Sequence, residues 1–220
     1  MKTTIKGIEI KKAIALVKPF VGSLRGKKAS RPILKTALIN EKYIIATDAH
    51  RLIRITHNEK VQEPYLHHFK EELTRECVVT SYPNTDRLIP EQHNAQHSFQ
   101  VNVVEWLEAH ELGLVAAKEY KNRVISLENG EFKVNAVETI VNKQGKTVKN
   151  TDFNKIAYKY FMGECTIEKV AYNCEYMLDM LKIFKKLKLK EVTCYFYGPM
   201  RPMYFVSQCV EALILPVRTY

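Results

Sequence analysis

The chain of 220 residues lacks the features that mark membrane and secreted proteins. No apolar run approaches the roughly 18–20 residues needed to span a bilayer, and residues 1–6, MKTTIK, have no apolar signal-peptide core. The five cysteines are odd in number and none lie in C-x-x-C spacing, which argues against a disulfide framework and a structural zinc site. These absences predict a cytoplasmic protein with reduced thiols and no membrane segment.

Signatures of catalysis and of cofactor binding are also missing. The sequence contains no P-loop, no G-x-S-x-G motif and no dinucleotide fingerprint. His67-His68 and His93-x-x-x-His97 do not follow an H-E-x-x-H pattern, so we expect no metal site. The sequence therefore predicts a non-catalytic protein without a cofactor.

What the chain has in excess is positive charge, with a net charge of +10. Such a balance favours polyanionic partners, above all nucleic acid, although a lysine-bearing helix face is by itself often only a solvated surface. The basic residues that we consider candidates for DNA binding lie on two predicted helices and one loop: Lys11, Lys12, Lys18, Arg25, Lys27, Lys28, Lys182, Lys185 and Lys186.

A β-α-β-β-β pattern recurs about three times along the chain. In the first copy, apolar residues at i, i+3, i+4 and i+7 predict a helix that ends near Pro19, followed by strands over 32–39, 43–46 and 51–56. The second copy covers about 98–161 and the third about 166–215, where Asn173 is a candidate helix N-cap. Each unit is expected to bury one helix face on a sheet and to leave the other face free.

The segment from Tyr82 to Pro90 divides the chain. Two prolines and an Asn/Asp cluster argue against helix or central strand, so we predict a linker over 82–96 between a domain at 1–81 and a domain at 97–220. Residues 58–81 have room only for a short helix within 63–76 and one strand at 77–80. The first domain is therefore expected to be shortened.

Five segments resemble, in the same order, parts of the bacterial DNA polymerase III β subunits, the DNA sliding clamps. They are Ala46–Leu52, Tyr82–Pro90, Tyr172–Leu181, Gly198–Met203 and Leu213–Arg218. The resemblance implies an α+β DNA-clamp fold, in which repeated β-α-β-β-β units place their helices on one face of antiparallel sheets and the helices face DNA. The implied partners are double-stranded DNA and a DNA polymerase or other clamp-binding proteins, with homo-oligomers possible.

Clamps of this family also bind short peptides of their partners in a pocket. Carried over to this sequence, the resemblance implies a peptide pocket formed by Thr47, His50, Arg51, Leu52, Pro83, Arg87, Leu88, Leu215, Pro216, Val217 and Arg218.

Two departures from the family qualify these expectations. Ala49 stands where the family has glycine, so the turn there is expected to be less permissive. The chain also amounts to about one and a half family domains, which suggests a truncated relative from a phage or other mobile element. Three hypotheses follow: a clamp that encircles DNA, a non-encircling fragment that recruits or sequesters clamp-binding partners, and a basic nucleic-acid-binding protein that reuses the fold.

Overall fold

The computed structural model describes residues 7–22, 31–70, 77–119, 124–128, 131–141, 147–159 and 167–218. The chain forms two compact units: residues 1–91 with 204–214, and residues 92–203 with 215–220. The division after Glu91 falls inside the predicted linker, but residues 204–214 lie with the first unit although they are distant in sequence. The predicted domain bounds assigned all of 97–220 to one domain, and as domain bounds they stay a prediction.

The first unit is built on one antiparallel sheet. Its strands are β1 (Thr36–Ile39), β2 (Tyr43–Thr47), β3 (Arg51–Thr56), β4 (Tyr65–His68), β11 (Met203–Ser207) and β12 (Val210–Ile214). They lie in the order β4-β1-β2-β3-β12-β11. The β3–β12 pairing joins Leu52 to Leu213, so the end of the chain completes a sheet that begins near its start.

Helix α1 (Ile10–Val17) covers this sheet and ends just before Pro19, as predicted. It buries Ile10, Ala13, Leu16 and Val17, while Ile14, which we had placed in the apolar stripe, is only half buried. A 3-10 turn at Lys18–Phe20 follows and inserts the fully buried ring of Phe20 into the core.

The second unit contains β5 (His97–Asn102), α2 (Val103–Glu119), β6 (Val124–Glu128), β7 (Glu131–Val141), β8 (Thr147–Lys159), β9 (Val170–Asn173), α3 (Cys174–Lys186) and β10 (Glu191–Phe196). The order β5-α2-β6-β7-β8 followed by β9-α3-β10-β11-β12 confirms the second and third predicted copies of the β-α-β-β-β pattern. Of the first predicted copy the described residues show α1-β1-β2-β3, and the N-terminal residues 1–6 lie outside them. The second and third copies exchange their first strands, because β5 pairs with β10 and β9 pairs with β6. Each copy therefore contributes one strand to the sheet of the other.

Three local predictions were wrong. Residues Pro32–Lys35 form a 3-10 turn, and β1 begins only at Thr36, since proline lacks the N–H that a strand ladder needs. In the range 63–76, where we expected a short helix, residues Tyr65–His68 form β4 against the free edge of β1. The expected strand at 77–80 is replaced by a 3-10 turn at Val79–Ser81.

Candidate functional site

The β2–β3 turn contains four of the predicted pocket residues and is held by its own polar side chains. Asp48 Oδ1 accepts hydrogen bonds from the backbone N–H groups of His50 (3.0 Å) and Arg51 (3.1 Å). The Thr47 hydroxyl donates to the Arg51 carbonyl at 2.7 Å. Ala49 has φ of +74°, the left-handed conformation that glycine adopts without strain. The turn therefore keeps the glycine-type geometry with an alanine in it.

Arg51 is a structural residue of this turn. Its side chain is only 8% exposed, its Nε donates to Asp48 Oδ2 at 2.9 Å, and its Nη2 donates to the Pro19 carbonyl at 2.5 Å. The guanidinium carbon lies 4.7 Å from the centre of the Phe20 ring, in cation–π geometry. Arg51 thus ties the turn to the end of α1, whereas its neighbour His50 is exposed.

Leu52 and Thr47 are also mostly buried, at 2% and 5% exposure, so neither presents a free surface in the first unit. Among the seven predicted pocket residues of this unit, the side chains that face solvent are His50, Arg87 and Leu88, and Pro83 is half buried. Sequence comparison alone cannot separate those two groups, because burial depends on the pairing of distant strands.

The segment that carries Pro83, Arg87 and Leu88 is anchored at two points. The buried Tyr82 hydroxyl donates to the Ile45 carbonyl on β2 at 3.0 Å. The carboxylate of Asp86 accepts from Arg54 Nη1 on β3 at 3.2 Å. Two residues beyond the second anchor, Leu88 is 53% exposed, which is high for a leucine.

Arg54 belongs to a polar network that sequence analysis did not predict. Its Nε and Nη2 donate to Glu211 Oε2 at 2.9 and 2.5 Å, and the Tyr204 hydroxyl donates to the same oxygen. Arg54 also stacks on the Tyr43 ring at 4.7 Å. Burial and the hydrogen bond to the Glu211 carboxylate raise the pKa of the Tyr204 hydroxyl well above its usual value, so Tyr204 stays a donor.

The tail that completes the predicted pocket belongs to the second unit. The Val217 N–H donates to the Ala171 carbonyl on β9 at 2.7 Å. Leu215 and Val217 are 39% and 37% exposed, Arg218 is exposed and Pro216 is half buried. The tail is therefore fixed by its backbone and presents apolar side chains to solvent.

The lysines predicted to contact DNA are exposed wherever the structure describes them. Lys11, Lys12 and Lys18 extend from or just beyond α1, and Lys182, Lys185 and Lys186 from α3. Arg25, Lys27 and Lys28 lie outside the described residues. Helix α2 differs, because the exposed positions described for it, between Val103 and Val115, carry glutamates and aliphatic residues, as their i, i+4, i+7 spacing would have indicated.

Within the part of the chain that the structure describes, no group of three His, Cys, Asp or Glu side chains is arranged to hold a metal ion. None of the described helices is long and apolar enough to cross a membrane.

No family model matches the chain. It is 31% identical over 142 residues to the beta sliding clamp of Staphylococcus aureus, which covers 63% of this chain and 34% of that protein. It is 32% identical over 148 residues to the beta sliding clamp of Bacillus subtilis, covering 64% and 35%. The chain thus spans about a third of the length of the curated relatives it matches.

Solved structures show the same fold over nearly the whole chain. The B. subtilis DNA polymerase sliding clamp superposes with a TM-score of 0.63, 22% identity and coverage of 96% of this chain and 62% of that one. The Helicobacter pylori beta clamp bound to a DNA ligase peptide superposes with a TM-score of 0.62, 13% identity and coverage of 98% and 65%. These curated relatives and solved structures are all bacterial sliding clamps, and together they support the assignment of the chain to the family of bacterial DNA polymerase III β subunits, the DNA sliding clamps, over part of such a clamp.

Proposed function

We propose that this protein is a non-catalytic sliding-clamp component of cytoplasmic DNA replication, which contacts duplex DNA through lysines of α1 and α3 and binds peptides of replication proteins. The observation that carries the proposal is the clamp-type pair of strand-exchanged repeats with exposed lysines on α3. The same kind of lysine face occurs on α1.

The chemistry of these faces suits a protein that must hold DNA and still move along it. Lysine ammonium groups contact phosphates without reading bases, so binding is independent of sequence. On α3, Lys182 and Lys186 lie one helical turn apart and Lys185 beside them, so their charges project from one side of the helix. Helix α1 contains no acidic residue that would neutralise its lysines.

Peptide binding is the second part of the proposal. In the first unit, the exposed His50, Arg87 and Leu88 combine an apolar anchor point with hydrogen-bond donors, as peptide sites require. The predicted pocket also includes Leu215–Arg218 of the tail, whose part in binding stays a prediction. The H. pylori neighbour was crystallised with a DNA ligase peptide, which makes that peptide a suitable probe.

DNA contact is tested by the salt dependence of binding to a labelled duplex. Removing two phosphate-contacting charges in Lys182→Gln/Lys186→Gln should lower the slope of log affinity against log salt by about 2. The matched control, Lys60→Gln/Lys169→Gln, removes two exposed lysines outside α1 and α3. Equal slopes for the two double variants would mean that α3 does not contact DNA.

Peptide binding is tested by titrating the labelled DNA ligase peptide. We expect His50→Ala, Leu88→Ala and Arg218→Ala each to weaken binding by about threefold to tenfold. Removing one side chain from an interface typically costs roughly 1 kcal/mol of binding free energy. Arg201→Ala, at an exposed arginine in a turn of the second unit, serves as the control. Arg51→Ala is unsuitable because Arg51 holds the turn itself. Binding that survives both His50→Ala and Arg218→Ala unchanged would refute the pocket assignment.

A further inference from the structure

The exposed face of α2 has a composition unlike that of α1 and α3. Val104, Leu112 and Val115 are 46%, 58% and 70% exposed. Glu108 and Glu111 are exposed between them, and Glu105 flanks them. Among the α2 side chains that the structure describes, Val103–Val115, none is a lysine or arginine, and the first such residue of the helix is Lys118. This acidic and apolar surface, formed by Val104, Glu105, Glu108, Glu111, Leu112 and Val115, is called the α2 face below.

The spacing places these side chains on one side of the helix. At 100° per residue, positions 104, 108, 111, 112 and 115 fall within about 100° of arc, and 105 lies just beside them. The opposite side is the core side, where Trp106, Leu107 and His110 are buried. The α2 face extends over about 17 Å of helix axis. It is therefore one continuous strip of three helical turns.

The composition of the α2 face does not suit DNA. Glutamates repel phosphates, and aliphatic side chains gain nothing from a polyanion. Exposed aliphatic residues bordered by charges are instead typical of protein-binding helix faces. A partner must bring aliphatic side chains to cover the three exposed ones and positive charges to pair with the glutamates.

We propose that the α2 face docks a basic amphipathic helix of a partner protein, with lysines or arginines on both sides of an aliphatic stripe. Charge complementarity decides between this occupant and a second copy of the chain. The net charge of +10 opposes self-association, whereas the local glutamates make the α2 face attractive to a basic helix. The inference does not depend on the proposed DNA or peptide sites, which use other residues.

The test uses a labelled synthetic peptide of about 18 residues, long enough to form a helix, with leucines at i, i+4, i+7 and i+11 flanked by lysines. A matched peptide carries glutamate in place of each lysine. We expect the full chain to bind the basic peptide with a dissociation constant on the order of 10 µM. Glu105→Lys/Glu108→Lys/Glu111→Lys and Leu112→Gln/Val115→Gln should each weaken binding by about tenfold or more.

The control variant is Glu168→Lys, which reverses an exposed charge elsewhere in the second unit and should change binding less than about twofold. Far-UV circular dichroism and thermal melting check that each variant is folded. We expect all of them to fold, because the substituted side chains are exposed.

Several results would overturn the proposal. It is wrong if the acidic peptide binds as well as the basic one, or if binding survives both multiple substitutions. It is also wrong if sedimentation shows self-association of the wild type that the triple substitution abolishes, because the occupant is then a second copy. Tighter duplex DNA binding by the triple variant, with no peptide binding by the wild type, would assign the α2 face to DNA instead.

Discussion

At the scale of single residues, Ala49 is an alanine in a backbone conformation that favours glycine. Its φ of +74° lies in the left-handed region, where a Cβ meets the following carbonyl oxygen. The Asp48 and Thr47 side chains nevertheless hold the surrounding backbone by hydrogen bonds. The turn thus holds Ala49 in the left-handed conformation, which lowers the stability of the first unit.

We expect Ala49→Gly to stabilise the first unit by about 0.5–1 kcal/mol, because relief of the left-handed strain exceeds the entropy that glycine adds to the unfolded chain. Urea denaturation checks this. The control is Ala15→Gly, at an exposed alanine inside α1, which should destabilise by about 1 kcal/mol. A loss of stability in Ala49→Gly would contradict the assigned backbone conformation.

His110 is a second residue whose chemistry follows from its surroundings. Its Nδ1 lies 2.6 Å from the Trp106 carbonyl and must donate to it, so Nε2 accepts from the Tyr172 hydroxyl at 2.8 Å. The ring is fully buried, and burial lowers the pKa of His110 to about 4. The second unit therefore contains a neutral histidine in its core.

Because the folded pKa lies below the unfolded value of 6.5, protonation favours the unfolded chain. The contribution of neutral His110 to the free energy of unfolding is fully present above about pH 6.5. It should fall by on the order of 3 kcal/mol as the pH approaches 4. Urea denaturation at pH 7, 5.5 and 4 measures this for the wild type and for His110→Gln. The variant should lose that part of the pH dependence, and identical slopes for the two proteins would show that His110 is not the group responsible.

At the scale of elements, α3 is the helix that local rules describe best. Asn173 was predicted as its N-cap, and its side chain accepts a hydrogen bond from the Glu175 N–H at 2.9 Å. Of the apolar stripe predicted for this helix, Met177, Met180, Leu181 and Phe184 are buried, whereas the last member, Leu187, lies at the C-cap and is half buried. Periodicity and capping sufficed here because both act over a few neighbouring residues.

Replacing Asn173 by alanine should destabilise the protein by about 1 kcal/mol, since the Glu175 N–H loses its acceptor. Asn173→Asp should retain most of the stability, because its carboxylate also accepts that bond. Asn58→Ala, at an exposed loop position, should change the free energy of unfolding by less than about 0.5 kcal/mol. Equal losses in Asn173→Ala and Asn173→Asp would argue against the capping role.

Strand β4 is an element that local rules missed. Tyr65-Leu66-His67-His68 has no clear alternation, and Pro64 precedes it. It pairs with β1 through Leu38 and Leu66 because β1 would otherwise leave its backbone groups unpaired. The pairing of β4 depends on the free edge of β1, which is formed by residues distant in sequence. A local sequence pattern therefore could not predict this strand.

At the scale of the whole molecule, charge is distributed by helix. Helices α1 and α3 expose lysines, and the described part of α2 exposes glutamates. A net charge of +10 alone suggested a polyanionic partner. The exposure of each side chain then shows which helices present lysines and which one presents glutamates in its described part.

If six lysines of α1 and α3 neutralise phosphates, the affinity for duplex DNA should fall by about 10³-fold between 50 and 200 mM salt. Fluorescence anisotropy measures this, and retention on circular against linearised DNA reports encirclement. Loss of retention on linearisation, together with an oligomeric mass in sedimentation, would favour a closed ring. Equal behaviour of both DNA forms would favour the non-encircling hypothesis. A salt-independent affinity would refute the lysine contacts.

By itself the sequence predicted the repeated β-α-β-β-β order, the end of α1 near Pro19, the N-cap of α3, the lysines on both helices and the resemblance to the family. These depend on periodicity, caps and short motifs, which act between near neighbours. The tertiary structure alone decided that Arg51 is buried in its turn, that Arg54 meets Glu211 across 157 positions of sequence, and that β5 and β9 exchange partners. Those outcomes depend on which distant strands pair, because burial and partner choice arise only after the sheet has formed.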